Sequence, residues 1–479
     1  MATIVKFFLY FSSMNINEIC ANPKKHSMNV ASLGEPVLDS PVKGQSFIDE
    51  NSRISLVTEI SQIELLKHKR EPIPSLEVAG PHKKLFHDPA QTRVAIGTCG
   101  GLCPGLNNVI KGLVEVLSYD YGVRMIFGIR YGYMGLNPRY GLTAMHLTPE
   151  TVDNIHEAGG TMLGSSRGNQ DPKVMVDTLS MQLNVNILFC VGGDGTLRGA
   201  QEIIKEITRR KAPISVVCIP KTIDNDLNLL DRTFGFETCV QSASEIIKSA
   251  HVEANGIPNG IGLVKVMGRD SGFIAAYASL ASSVTNFCII PEIQLELDGE
   301  NGLLKALDRR FFKYRKDHVV MVVAEGAGQD LFSAAATKDA SGNVLKHDIG
   351  HFLVDKISEY FKKNGKEVNI KYIDPSYIIR SIPANSSDAI FCFQLAENAV
   401  HAAMAGKTNV VVGSFKGTFV LVPLEYVISE RKKIDTESAL WHAVIGSTRQ
   451  NTYFFDNSFE NELPGRSAAM DYLQGGKTK

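Results

Sequence analysis

The sequence predicts an α/β protein built on parallel-rich sheets, and three observations carry that expectation. From Arg93 onward, short strand-like runs alternate with helical stretches, the pattern of βαβ units. The runs Asn186 to Val191 and Ile214 to Ile219 are rich in β-branched residues, as strands of a buried parallel sheet are. Each ends in a glycine- and acid-bearing loop, Val191-Gly-Gly-Asp-Gly-Thr196 and Pro220-Lys-Thr-Ile-Asp-Asn-Asp226. In open α/β sheets such carboxyl-end loops are where ligands bind.

The elements follow in order. Residues 1–92 lack the alternation and read as an N-terminal extension, broken at Asn22-Pro-Lys-Lys25, Gly34-Glu-Pro36, Ser40-Pro41 and Glu71-Pro-Ile-Pro74. Only Ile54 to Lys67 suits a helix there, so the extension is expected to pack on the core or on a neighbouring subunit. Beyond it, strands are expected at 93–98, 123–129, 186–191, 214–219, 260–266, 287–290, 318–324, 368–373 and 409–413. Helices are expected at 196–211, 237–254, 301–315, 348–363 and 386–405, with a helical segment and tail over 431–479.

Composition narrows the partners. With 50 basic and 51 acidic residues the net charge is near zero, which suits neither nucleic acid nor a membrane surface. The short basic runs His82-Lys-Lys84 and Arg431-Lys-Lys433 read as solvated faces. The opening Met1 to Met14 imitates a signal sequence, but its apolar core is short and lacks a clear cleavage site. A transit peptide is disfavoured by Glu18, Glu35, Asp39, Asp49 and Glu50. The 8 cysteines show no CxxC pair and mostly lie in apolar runs, so buried thiols and a cytoplasmic location are expected.

The loops carry the chemistry. Glycines beside a strand end let backbone N–H groups approach an anion, and acidic neighbours can hold Mg²⁺ or accept a proton. A third such loop, Cys99-Gly-Gly-Leu-Cys-Pro-Gly105, joins the strand from Arg93 to a helix from Leu106 to Ser118. Strand, nest and helix N-terminus together form an anion site. It is neither a Walker A loop nor a dinucleotide fingerprint, and an ordinary tight turn is its alternative. Cys99 and Cys103 flank it without a second ligand pair, which argues against metal or redox chemistry. Asp194 suits either a metal or a helix cap, and Asp224 and Asp226 suit either catalysis or turn chemistry. An extended segment would turn Asp226 to the same side as Asp224, where it would reach a metal through water.

In family order, the segments Cys99 to Asn107, Gly159-Gly-Thr-Met-Leu-Gly-Ser-Ser-Arg167, the two loops above, Lys265-Val-Met-Gly-Arg-Asp-Ser-Gly272, Val323-Ala-Glu-Gly326 and Asp374-Pro-Ser-Tyr-Ile-Ile-Arg380 resemble the phosphofructokinase family. The pairing of Gly192-Gly-Asp-Gly-Thr196 with Pro220 to Asp226 looks most like its ATP-dependent branch in plants, trypanosomes and some bacteria. The resemblance implies two similar Rossmann-like three-layer α/β domains facing a cleft, a larger nucleotide-binding one at 93–236 plus 380–430 and a smaller sugar-phosphate one at 237–379. It implies ATP-dependent phosphorylation of fructose 6-phosphate at the 1-hydroxyl, with Mg²⁺, in a homotetramer or homodimer.

The resemblance also implies roles. Gly100, Gly101, Arg167, Gly168, Gly193, Asp194, Gly195 and Thr196 would bind the nucleotide, with Asp194 on the metal. Asp224 would be the general base, with Thr222 and Arg269 completing the catalytic set. Ile223, Met267, Gly268, Arg269, Glu325, Tyr377, Ile378, Ile379 and Arg380 would line the sugar-phosphate site. Gly195 and Lys221 bear on the donor: pyrophosphate-using relatives carry aspartate at the first, and lysine is usual in them at the second. Two family arginines are missing, replaced by Gly260 and Lys371, which puts contacts across a subunit boundary and the effector site of short enzymes in question. The competing readings are a pyrophosphate-dependent enzyme, an NAD or lipid kinase, and a non-catalytic subunit; such a subunit would be expected to have lost Asp194 or Asp224.

Overall fold

Ile187–Gly192 and Ser215–Pro220 are strands buried at every position, which a β-branched run achieves only with packing on both faces. They belong to a computed structural model that describes residues 16–332 and 345–450. The opening Met1 to Met14 and the tail beyond Gln450 lie outside the described residues. The described chain forms two compact units.

The first unit holds the residues up to Val240 and Tyr377–Lys433. Its 9-stranded sheet has a parallel centre in the order Met125–Ile129, Arg93–Thr98, Ile187–Gly192, Ser215–Pro220, Val410–Phe415. Met145–Leu147 adds antiparallel at one edge, and Thr418–Pro423, Ser75–Val78 and Arg53–Ser55 at the other. Thr98 stands opposite Val191, and Gly192 opposite Pro220. Three strands therefore end level, and their loops leave the same edge side by side. Helix Leu106–Glu115 packs closely on helix Ser386–Met404; a Cβ at Gly112 would lie 2.9 Å from that of Ala396.

The second unit holds 241–332, Lys346–Ser376 and the described chain from Ile434. Its four strands are all parallel, ordered Phe287–Ile289, His318–Ala324, Gly260–Val266, Asn369–Ile373. Val266 faces Ala324 and Val264 faces Ile373, so the loops at 267–269, 325 and 374 share the carboxyl edge. Helix Ala439–Thr448 closes the described chain, with Ser438 Oγ accepting from Trp441 N–H at 3.4 Å.

Four expectations are corrected. The extension does not merely rest on the core: Ser75–Val78 and Arg53–Ser55 are strands of the large sheet, and Leu76 is fully buried. Its helix is Ile60–His68, because Ile54 is spent on strand pairing with Leu76. The helix expected at 301–315 is regular only over Leu303–Asp308 and continues as a wider turn to Lys313. His82 is no solvated charge either: it is 3% exposed, with Nδ1 2.9 Å from Glu50 Oε1.

Candidate active site

In the first unit, the loop after Arg93–Thr98 is strapped to the segment 164–167. Gly100, with φ +87, donates its N–H to Ser166 O at 3.0 Å, and Ser165 Oγ donates to Gly100 O at 2.6 Å. This brings two guanidiniums over the loop: a Cβ at Gly101 would lie 3.5 Å from both Arg167 Nη2 and Arg380 Nη1. Below them Lys221 Nζ donates to Gly101 O at 2.7 Å. Burial pulls the Lys221 pKa below its ordinary value, opposed by the nearby Cys103, Cys99 and Asp224. Three basic side chains thus converge on one glycine loop, as anion binding requires. Gly168, at φ +103, follows Arg167 in the left-handed region.

The next loop starts a helix. Gly193 is the N-cap of Asp194–Arg210 without a side-chain cap, so Asp194 is the first helical residue and not the cap. Its Oδ2 is 3.1 Å from Arg198 Nε and 3.6 Å from Arg431 Nη2. A Cβ at Gly195 would meet nothing within 4 Å. Thr196 is buried, and its carbonyl accepts from Tyr133 Oη at 2.7 Å.

The third loop folds back on its own strand. Thr233 Oγ1 donates to Thr222 O at 2.6 Å, Thr233 N–H to Asn225 Oδ1 at 3.0 Å, and Asp224 N–H to Thr222 Oγ1 at 3.1 Å. Asn225 is left-handed at φ 53, so 224–226 is not extended and the strand alternation expected to set Asp226 beside Asp224 does not hold there. Asp226 is buried instead, 3.3 Å from Arg431 Nη1. Ile223 and Ile379 are buried, whereas Tyr377 and Ile378 are 75% and 61% exposed. Arg380 lies over the Tyr377 ring, 4.9 Å from its centroid, and both group with the first unit.

In the second unit, the loops of Met267–Arg269 and Glu325 interlock. Glu325 N–H donates to Val266 O and Gly326 N–H to Gly268 O, each at 3.0 Å. Gly326 is required there, since a Cβ would sit 1.9 Å from Arg269 O. Arg269 Nε stands 3.8 Å from Glu325 Oε1. Burial raises the Glu325 pKa, with Arg269 opposing it. Gly260 has a structural reason for not being arginine: its Cβ would meet Ala254 O at 2.0 Å.

Sequence reasoning missed Arg431 and Lys432. Lys433 is exposed as expected, but Arg431 and Lys432 are not on a solvated face: Lys432 Nζ donates to Leu230 O at 2.8 Å and Asp231 O at 3.1 Å, and burial lowers its pKa to about 8. The only signal was two adjacent cations, which surface runs share. The cysteine expectation fits better: 7 of the 8 cysteines are buried and all are free, with burial pushing the Cys99 thiol up to about 12.

These two carboxyl edges define a class, α/β proteins whose glycine loops and basic side chains receive phosphorylated ligands. The description "Phosphofructokinase" matches residues 93–403. The chain is 45% identical over 433 residues to "ATP-dependent 6-phosphofructokinase" of Borreliella burgdorferi, covering 88% of this chain and 96% of that one. It is 46% identical over 371 residues to the protein of the same description in Trypanosoma brucei brucei, covering 77% and 75%. The crystal structure of a pyrophosphate-dependent phosphofructokinase from Marinobacter aquaeolei shares the fold, with TM-score 0.62, 18% identity and coverage of 80% and 91%. This chain belongs to the phosphofructokinase family.

Proposed function

We propose that the chain transfers the terminal phosphoryl group of ATP to the 1-hydroxyl of fructose 6-phosphate, giving fructose 1,6-bisphosphate and ADP. The observation that favours ATP over pyrophosphate is Gly195, whose missing side chain leaves open space at the donor edge. A carboxylate there would repel the α-phosphate of a nucleotide. Lys221 adds charge but excludes no donor, and it is engaged with Gly101 O. The test is a coupled assay with ATP or pyrophosphate as the donor, each saturating; faster turnover with pyrophosphate overturns the reading.

We assign the roles as follows. Gly100, Gly101, Arg167, Gly168, Gly193 and Thr196 cradle the donor phosphates at the three level strand ends. Asp224 takes the proton of the attacking hydroxyl as the oxygen–phosphorus bond forms and the bond to ADP breaks, with Thr222 beside it. Arg269 and Glu325 hold the acceptor's phosphate and hydroxyls, shaped by Met267 and Gly268.

Mg²⁺ suits the donor edge. Such sites use one or two carboxylates plus substrate phosphates, and not an all-protein cage. Asp194 provides the carboxylate, and the spot it shares with Asp226 already attracts a guanidinium. When bound, the ion would neutralise charge on the transferring phosphates. Among the described residues no helix is long and apolar enough to cross a membrane. We place the enzyme in the cytoplasm as a homotetramer, which sedimentation of the full chain checks.

A further inference from the structure

Arg431 plays no part in the roles assigned above, yet it touches both acidic loops of the donor edge. Its Nη2 is 3.6 Å from Asp194 Oδ2 and its Nη1 3.3 Å from Asp226 Oδ2. The guanidinium does not arrive there by chance. Lys432 N–H donates to Asp226 O at 2.8 Å, Arg431 pairs with Leu227 in an antiparallel bridge, and Lys432 Nζ is anchored on Leu230 O and Asp231 O. Arg198 approaches the same Asp194 oxygen at 3.1 Å, but its side chain is 56% exposed against 25% for Arg431. Arg198 also donates Nη2 to Ile428 O at 2.7 Å and reaches Asp194 alone, whereas Arg431 reaches both carboxylates and is bridged to the loop of Asp226.

We propose that Arg431 is a built-in counter-cation of the donor site, a positioning residue that spans Asp194 and Asp226 and competes with a divalent cation for Asp194. This rests on the reading of Asp194 as the cation's carboxylate. A free dication must displace the guanidinium from Asp194 Oδ2 without offering it another anion. A dication arriving on a nucleotide brings phosphate oxygens that accept the fork in its place. Arg431 therefore makes the site select the cation–nucleotide complex over the bare cation.

The test measures Mn²⁺ binding to the full, nucleotide-free chain by electron paramagnetic resonance, in wild type, Arg431→Gln and Asp194→Asn. Arg431→Gln should bind Mn²⁺ about tenfold tighter, the effect of removing one partly solvated competing charge. Its preference for Mn²⁺–ADP over Mn²⁺ alone should shrink by about the same factor. A merely structural arginine would produce no gain in affinity. Arg431→Lys keeps the charge but loses the fork, and should tighten Mn²⁺ by about threefold, so the inference stays testable if the glutamine variant does not fold. No gain in either variant, with weakened binding in Asp194→Asn, overturns this inference alone. A gain in Arg431→Gln with unchanged binding in Asp194→Asn overturns both this inference and the assignment of the cation to Asp194.

Discussion

Replacing Gly195 by aspartate isolates donor choice from folding. The new Cβ would meet nothing within 4 Å, and the residue is not among those with positive φ, so no backbone strain or overpacking follows. It occupies the second position of the helix Asp194–Arg210, where a carboxylate gains about 0.3–1 kcal/mol from the helix dipole. Thermal stability should therefore hold or rise slightly. At the donor edge the same carboxylate faces a nucleotide phosphate. Two like charges about 4 Å apart repel by about 1 kcal/mol in water and about 4 at an effective dielectric constant of about 20. With ATP, kcat/KM should then fall by about ten- to a thousandfold, while the rate with pyrophosphate should not fall. The assay follows fructose 1,6-bisphosphate through coupled enzymes, with a melting curve on the same preparation. An ATP kcat/KM within about threefold of wild type would refute the reasoning, since the added charge would then lie away from the phosphates.

Two further predictions use the same unit. Asp224→Asn should lower kcat by about 10² or more with a smaller change in KM, and near-normal kcat in steady-state assays would place the base elsewhere. His87 and His401 are held neutral by burial, each with its pKa lowered to about 4, and they bond Ser215 Oγ at 3.0 Å and Tyr121 Oη at 2.8 Å. Because the folded pKa lies below the unfolded value of about 6.5, their contribution is complete above that pH and is lost as pH falls toward 4, about 2 kcal/mol each by pH 5. Urea midpoints measured from pH 7.5 to 5 should fall accordingly, and His87→Gln should flatten the slope.

Much of the site was legible because its parts are local. An apolar β-branched run stopped by glycines marks a strand end wherever the fold places it, and Thr98, Gly192 and Pro220 do end level. The small sheet was equally plain, since Gly260–Val266 and His318–Ala324 are buried almost throughout. What stayed hidden depends on distant partners or single dihedrals. Ser75–Val78 is a strand because Thr418–Pro423 and Arg53–Ser55 lie on either side of it. The orientation of Asp226 turns on the left-handed φ of Asn225, which asparagine tolerates but does not announce. Arg431 meets Asp226 across 205 positions of chain, so its neighbours in sequence say nothing of its charge partner. Helix Phe273–Ser282 escaped notice because small and apolar residues surround it on all sides and leave no amphipathic stripe.

The position of Val410–Phe415 governs the order in which this chain can assemble as it is made. That strand lies inside the large sheet, between Ser215–Pro220 and Thr418–Pro423, yet it is synthesised after every strand of the small one. Until it emerges, Ser215–Pro220 presents an unpaired edge of buried-type residues, and Ser75–Val78 has no partner from the sheet's centre. The four strands of the small sheet are all made first, while the large sheet that encloses them in sequence waits for its last strands. Nascent chains are thus exposed to edge-to-edge association from the emergence of Ser215–Pro220 until Val410–Phe415 follows, and a chain ending before residue 410 retains that exposed edge.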